Sequence, residues 1–137
     1  MAIDPGEKRI GLAISDLTGT IANPLTIINH KQRQEDAKII VQIATENKVE
    51  RLVIGQALDS DGQIGPQARK SQKLAEACKQ QTMIPVELWD ESGSTQAAKS
   101  ARIEMGTKRA QRKGHLDALA AVIILQSFLD AQKQSPS

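Results

Sequence analysis

The residues best suited to chemistry are three carboxylates set far apart in the chain, Asp4, Glu91 and Asp117. Each falls where a regular element is predicted to begin or end: Asp4 closes the first strand, Glu91 follows the last strand and Asp117 opens the last helix. In an open α/β sheet, groups at the C-terminal ends of neighbouring strands converge on one crevice. Carboxylates gathered there suit Mg²⁺, which takes oxygen ligands and keeps several waters. Two such ions about 3.5–4 Å apart stabilise both the attacking and the leaving oxygen of an in-line phosphoryl displacement. Each acid also has a plain structural reading. Asp4-Pro5-Gly6 is good turn chemistry, and Glu91 and Asp117 stand where helix N-termini favour negative charge. Asp117, however, shares a helical stripe with Ala121, Ile124 and Phe128, where an acid is costly unless it is paired or binds a metal. That weighs toward function.

The remaining reactive side chains offer less. His30 and His115 have no Cys or His partners at ligand spacing, which argues against zinc. His115 lies two residues before Asp117, a place from which it would assist proton transfer only if within reach. Ser15 and Ser94 have no histidine in a nucleophile setting. Cys78, within a predicted helix, reads as a semi-buried small residue.

The elements that must position these groups follow from periodicity. Residues 1–4 and 10–15 read as strands joined through Pro5-Gly6, and 21–28 as a third strand whose Asn23-Pro24 marks an edge or a bulge. Helical period begins at 32–47, with Ala37, Ile40, Ile43 and Ala44 on one face. Arg51–Gly55 is an unbroken apolar strand of the kind buried on both faces. A helix over 66–80, a strand over 84–88, a helix over about 95–105 and a last helix over about 115–131 complete the order. Three hairpin-linked strands followed by alternating strands and helices predict an α/β fold, a mixed five-stranded sheet flanked by helices. The expectation is one domain over residues 1–131, with 132–137 (QKQSPS) as a loose tail.

Composition limits the partners. Hydrophobic residues are 39% and charged residues 25% of the 137, the balance of a soluble globular domain. No apolar run nears the ~20 residues of a membrane span, and the opening MAIDPGEKR lacks the order of a secretory signal. With a single cysteine no internal disulfide forms, which fits a reducing cytoplasm. Net charge is only +2, but residues 91–137 carry 7 Lys/Arg against 4 Asp/Glu, whereas residues 1–90 carry 11 against 12. Lys108, Arg109, Arg112 and Lys113 fall together, a cluster able to neutralise phosphates or to sit as solvated bases. Trp89 and Phe128 are the only aromatics, too few for base stacking, so contact with nucleic acid is expected through the backbone. The same scarcity leaves no anchors for a large interface, which predicts a monomer or a weak dimer.

The segments AIDPGEKRIGLAISD (2–16), VERLVIG (49–55), IPVELWDESGST (84–95) and KGHLDALAAVIIL (113–125) together resemble the YqgF family. Its members are ribonuclease H-like proteins, described as Holliday-junction resolvases and as nucleases that finish the 5′ end of small-subunit ribosomal RNA. The resemblance runs from residue 2 to about 130. It implies a two-metal nuclease using Mg²⁺ or Mn²⁺, with Asp4, Glu91 (the second acid of Asp90-Glu91) and Asp117 as catalytic, metal-binding acids. It also matches Lys8 and Arg9 to a basic turn. Three features depart from the family pattern: Ser92-Gly93 replaces an Arg-containing stretch after the acid pair, Gln56-Ala57 replaces Leu-Pro after the strand, and only three residues precede Asp4. The first removes a potential bidentate phosphate contact, the last predicts a short first strand prone to fraying, and together they admit a nucleic-acid-binding module with weakened catalysis. A sugar-kinase-type ATPase also begins Asp-x-Gly after a strand, but it closes two such domains over its nucleotide and 137 residues supply one.

Overall fold

The computed structural model describes residues 1–56, 65–90 and 113–134, the last of these with side chains from Ala118 to Gln132. Its elements are β1 (Ala2–Pro5), β2 (Arg9–Ser15), β3 (Ala22–Asn29), α1 (Arg33–Glu46), β4 (Leu52–Gln56), α2 (Pro66–Lys79), β5 (Val86–Asp90) and α3 (Lys113–Gln134). The strands form one sheet in the order β3-β2-β1-β4-β5. β1, β2 and β3 are antiparallel neighbours, while β1, β4 and β5 run parallel. The mixed α/β sheet expected from the element order is therefore present. The helix expected over 95–105 lies outside the described residues.

Strand alternation divides the side chains between two faces. On one, Ile3, Ile10, Leu12, Leu52 and Ile54 pack against α1 and α2 through Ala37, Ile40, Ala44, Leu74, Ala77 and Cys78. On the other, Ala2, Ala13, Ala22 and Val53 pack against α3 through Ala121, Ile124, Leu125, Phe128 and Leu129. Both faces of β4 are thus covered, as its unbroken apolar run predicts. β3 is an edge strand, and its register against β2 shifts between Leu12, opposite Thr26, and Ala13, opposite Pro24. Proline has no N–H for the ladder, so the irregularity falls where Asn23-Pro24 puts it.

Several boundaries differ from the sequence reading. β1 is not frayed: it is the central strand, and Ala2 and Ile3 are fully buried. β5 begins two residues late, at Val86, because Pro85 offers no N–H and the Ile84 N–H is taken by the Thr82 hydroxyl at 3.1 Å. α3 begins at Lys113 and includes Gly114, so Asp117 is its fifth residue rather than part of its first turn. It also continues to Gln134, into the segment expected as tail. Cys78 is fully buried, not semi-buried, and desolvation pushes its thiol up to about 12.

Candidate active site

Asp4 is half-buried near the C-terminal end of β1. It belongs to the same face as Ala2, the face covered by α3. Directly across the antiparallel pair stands Gly11. On the parallel side Ile3 is level with Ile54, so one further step of the same register brings Gly55 beside Asp4. Gly55 is in turn level with Trp89 of β5. The row across the sheet is therefore Gly11, Asp4, Gly55, Trp89. The residues directly level with Asp4 on both neighbouring strands are thus glycines, while Arg9, two residues before Gly11, shares its face of the sheet. Glycine inside a strand signals a close approach; the sequence reading passed over both glycines.

The turn that follows Asp4 is held from several sides. The Gly6 N–H donates to the Arg9 carbonyl at 2.9 Å, and a Cβ at position 6 would collide with that same carbonyl. Gln67, in the first turn of α2, donates to the Pro5 carbonyl at 3.0 Å. The His30 N–H donates to the Lys8 carbonyl at 2.9 Å. Lys8 and Arg9 are thereby presented at the edge where Asp4 sits, and both are exposed.

α3 crosses the same face. Near its C-terminal end, Gln126 grips the β2–β3 turn, accepting from the Ala22 N–H and donating to the Thr20 carbonyl, each at 3.0 Å. Phe128 lies under the Arg51 guanidinium, 5.6 Å from its ring centre, where β4 is about to begin. The helix therefore runs back from the N-terminal edge of β1 and β4 toward the edge at which Asp4 stands. Phe128 to Asp117 is 11 residues, or about 16 Å of helix. Ala121, Ile124 and Phe128, the stripe on which Asp117 falls by spacing, are buried against the sheet. Trp89 closes the far side, its indole N–H donating to the Ser127 hydroxyl at 3.1 Å and its ring meeting Phe128 edge-on at 5.3 Å.

Of the other residues singled out from sequence, Glu91, Lys108, Arg109 and Arg112 lie outside the described residues, and Lys113 and Asp117 are placed by the helix backbone alone. Asp90 is the last residue of β5, level with Gln56. Gln56 accepts from Gln72 of α2 at 3.2 Å. Alternation thus assigns Asp90 to the α2 face, opposite to Asp4. Among the described residues no group of three His, Cys, Asp or Glu side chains gathers as a metal cage, and no helix is long and apolar enough to cross a membrane.

Comparison with known proteins gives a consistent picture. A family model described as "RuvX: Holliday junction resolvase" matches residues 1–131. A relative from Thermoanaerobacter pseudethanolicus is 43% identical over 134 residues, covering 97% of this chain and 96% of its own length. A second, from Clostridioides difficile, is 41% identical over 130 residues, covering 95% and 92%. Both carry the name "Putative pre-16S rRNA nuclease". Among solved structures, Thermus thermophilus RuvC in complex with a Holliday junction substrate superimposes with a TM-score of 0.62 over 98% of this chain and 95% of that one, at 17% identity. At that identity the likeness concerns the fold.

Proposed function

The chain belongs to the RuvX family and has a ribonuclease H-like fold, and from that premise we propose that it is a metal-dependent nuclease whose substrate is the 5′ end of precursor 16S ribosomal RNA. The observation that carries this reading is the near-full-length similarity to relatives bearing the pre-16S rRNA nuclease name. The position of Asp4 at the C-terminal end of the central strand, on the face crossed by α3, supports it independently.

In this reading Asp4, Glu91 and Asp117 are the catalytic acids and hold two Mg²⁺ or Mn²⁺ ions. The donor set fits: all three are carboxylates, the ligands of hard cations. When bound, the ions polarise the scissile phosphate and lower the pKa of water. The chain's own residues do the rest. The two glycines admit the strand to Asp4, and Gln67 fixes Pro5 and so the direction of the carboxylate before it. Lys8, Arg9 and the basic run Lys108, Arg109, Arg112 and Lys113 neutralise backbone phosphates without reading bases. Asp90 is assigned to the face opposite Asp4, and in this reading the catalytic acid of the pair is Glu91.

Resolution of four-way DNA junctions is the second reading, prompted by the family description. It requires two facing sites and a symmetric dimer. Among the described residues the large exposed apolar side chains are Leu17, Ile21, Met83 and Leu88. Leu17 and Ile21 share the β2–β3 turn, Met83 precedes β5 and Leu88 is within β5. With so few anchors for a large interface, our reading is a monomer or weak dimer that trims RNA in the cytoplasm.

The test is cleavage of labelled precursor RNA and of a labelled four-way junction side by side, with and without Mg²⁺ or Mn²⁺. RNA cleavage that requires metal is expected. Asp4→Asn should lower it on the order of a thousandfold, equivalent to about 4 kcal/mol of transition-state stabilisation, with the fold intact by circular dichroism. Paired symmetric cuts in the junction by a stable dimer would replace the RNA reading with the resolvase one.

A further inference from the structure

Beneath the same β1–β2 turn, on the sheet face opposite Asp4, a small open cavity of about 100 Å³ lies between the turn and helices α1 and α2. Pro5, Ile10 and Leu74 form its apolar part; His30, Arg33 and Lys70 line it from the β3–α1 connection, α1 and α2. Behind His30 stands Asp36, only 1% exposed. One Asp36 oxygen accepts the Lys31 N–H at 3.0 Å, and the other meets His30 Nδ1. A buried carboxylate is expensive unless its oxygens are satisfied, and here both are. The consequence for His30 is orientation: with Nδ1 held by Asp36, Nε2 is the ring nitrogen left for an outside partner.

Arg33 and Lys70 are exposed, and neither forms an ion pair among the described residues. Two such cations and an oriented imidazole around one cavity make a site for an anion with several acceptor oxygens. The charges facing it from the packed elements are those of Arg33 and Lys70, the Asp36–His30 pair, and Glu7, an exposed carboxylate on the turn. Glu7 opposes an anion and tunes the site weaker.

We infer that this cavity binds a phosphate group of a nucleic-acid strand, one that flanks the phosphate presented to Asp4. Pro5 contributes to the cavity while Asp4, its neighbour, faces the other side of the sheet, so a strand turning over the Gly6–Lys8 edge meets both. The strand's identity rests on the nuclease reading; the phosphate chemistry does not, and the test keeps the two apart.

The imidazole ¹⁵N and ¹H signals of His30, assigned against His30→Gln, are followed in the absence of metal. The probes are a trinucleotide with a 5′-phosphate and the same trinucleotide with a 5′-hydroxyl. His30 shifts are expected with both if internal phosphodiesters occupy the cavity, and with the first alone if it holds a strand end; either supports the site. Binding is then measured against salt. Arg33→Ala/Lys70→Ala should weaken it at least about tenfold and reduce the slope of log K against log salt by about 1.4, two contacts at roughly 0.7 each for a single strand. Glu7→Gln should tighten it. Both cations are on the surface, so the double variant keeps its fold. Equal affinity and slope for the double variant, or a silent His30 ring, would overturn the inference. Loss of cleavage in Asp4→Asn with this binding unchanged would separate it from the catalytic site. Absence of cleavage by the unmodified protein, with His30 still responding, would sink the nuclease reading and leave the phosphate site standing.

Discussion

The two faces of the sheet are built from different materials. Facing α1 and α2, a row of large side chains crosses the sheet, Leu12, Ile3 and Ile54, and ends at the exposed Leu88 of the edge strand β5. Facing α3, the matching row is Ala13, Ala2, Val53 and Glu87, and the row beyond it is Gly11, Asp4, Gly55 and Trp89. Large residues under two helices give a thick, interlocked layer, and its members Ile3, Leu12, Ile40, Leu52 and Ile54 are fully buried. Alanines and glycines under one helix let α3 lie close to the sheet. The thick face holds the fold; the thin face brings a helix carrying Asp117 toward the strand carrying Asp4. The polar ties follow the same division. Ser71 on the thick side is buried and donates to the Gly55 carbonyl at 2.7 Å, whereas α3 is fastened through the side chains Gln126 and Ser127.

If that division is correct, a cavity on the thick face should cost stability and spare chemistry. Ile54→Ala removes a fully buried side chain between α1, α2 and the sheet and should cost about 2–5 kcal/mol of unfolding free energy. Cleavage per folded molecule should stay close to that of the unmodified protein. Denaturant titration paired with active-site-normalised rates checks this, and a rate that falls as far as the stability would erase the contrast between the faces.

The thin face should respond in the reverse sense. Ala13→Leu places a branched side chain where Ala13 now meets the α3 cluster, and overpacking costs about 1–3 kcal/mol. Because it displaces α3, its larger effect should be kinetic: a displacement of about 1 Å at a catalytic group is worth on the order of 10²-fold in rate. A rate unchanged in Ala13→Leu would mean that α3 does not position the site.

Much of this was legible from the chain and some was not, for identifiable reasons. The unbroken Leu52-Val53-Ile54 run and the stripe Ala121, Ile124, Phe128 are read directly, because burial is written in side-chain type. Asn23-Pro24 announced the edge strand because proline lacks a donor. The glycines beside Asp4 were missed because their meaning depends on register, which pairs residue 4 with residue 11 and residue 55 only after the sheet has assembled. Asp36 was hidden differently. An acid in the opening turns of a helix has an ordinary explanation in the helix dipole, and nothing local says that α1 turns it inward onto His30. The start of β5 was misplaced because Ile84 has the side chain of a strand residue while Pro85 withholds its backbone from the ladder.

A smaller effect separates the two ways in which the helices are fastened. Gln126→Leu keeps the size of the side chain but leaves the Ala22 N–H and Thr20 carbonyl without their α3 partner. Both groups are partly accessible to water, so the cost should be about 1 kcal/mol. Combined with Ile54→Ala on the opposite face, the two penalties should add, since the sites share no partners.

The smallest expected effect is a pH dependence confined to the thin face. The turn that Gln126 grips is shaped by Asp16, whose Oδ1 accepts the N–H groups of Thr20 at 2.9 Å and Ile21 at 3.2 Å, and whose Oδ2 accepts the Thr18 hydroxyl at 2.9 Å. The bond from Thr20, then that from Ile21, holds the carboxyl below its ordinary value of 3.8. A carboxyl lowered in the folded state binds its proton more readily in the unfolded chain. Its stabilisation is therefore complete above the unfolded value and disappears as pH falls through the folded one. Asp16 is at the surface, so the change should be a modest shift in melting temperature. Asp16→Asn should melt below the unmodified protein at pH 7, and the difference should close at pH values under the folded pKa. Because Asp16 and Gln126 act on the same turn, their substitutions should couple. Asp16→Asn should cost less in a Gln126→Leu background and its full amount in an Ile54→Ala background. Equal penalties in both backgrounds would show that Asp16 shapes the turn independently of the tie from α3.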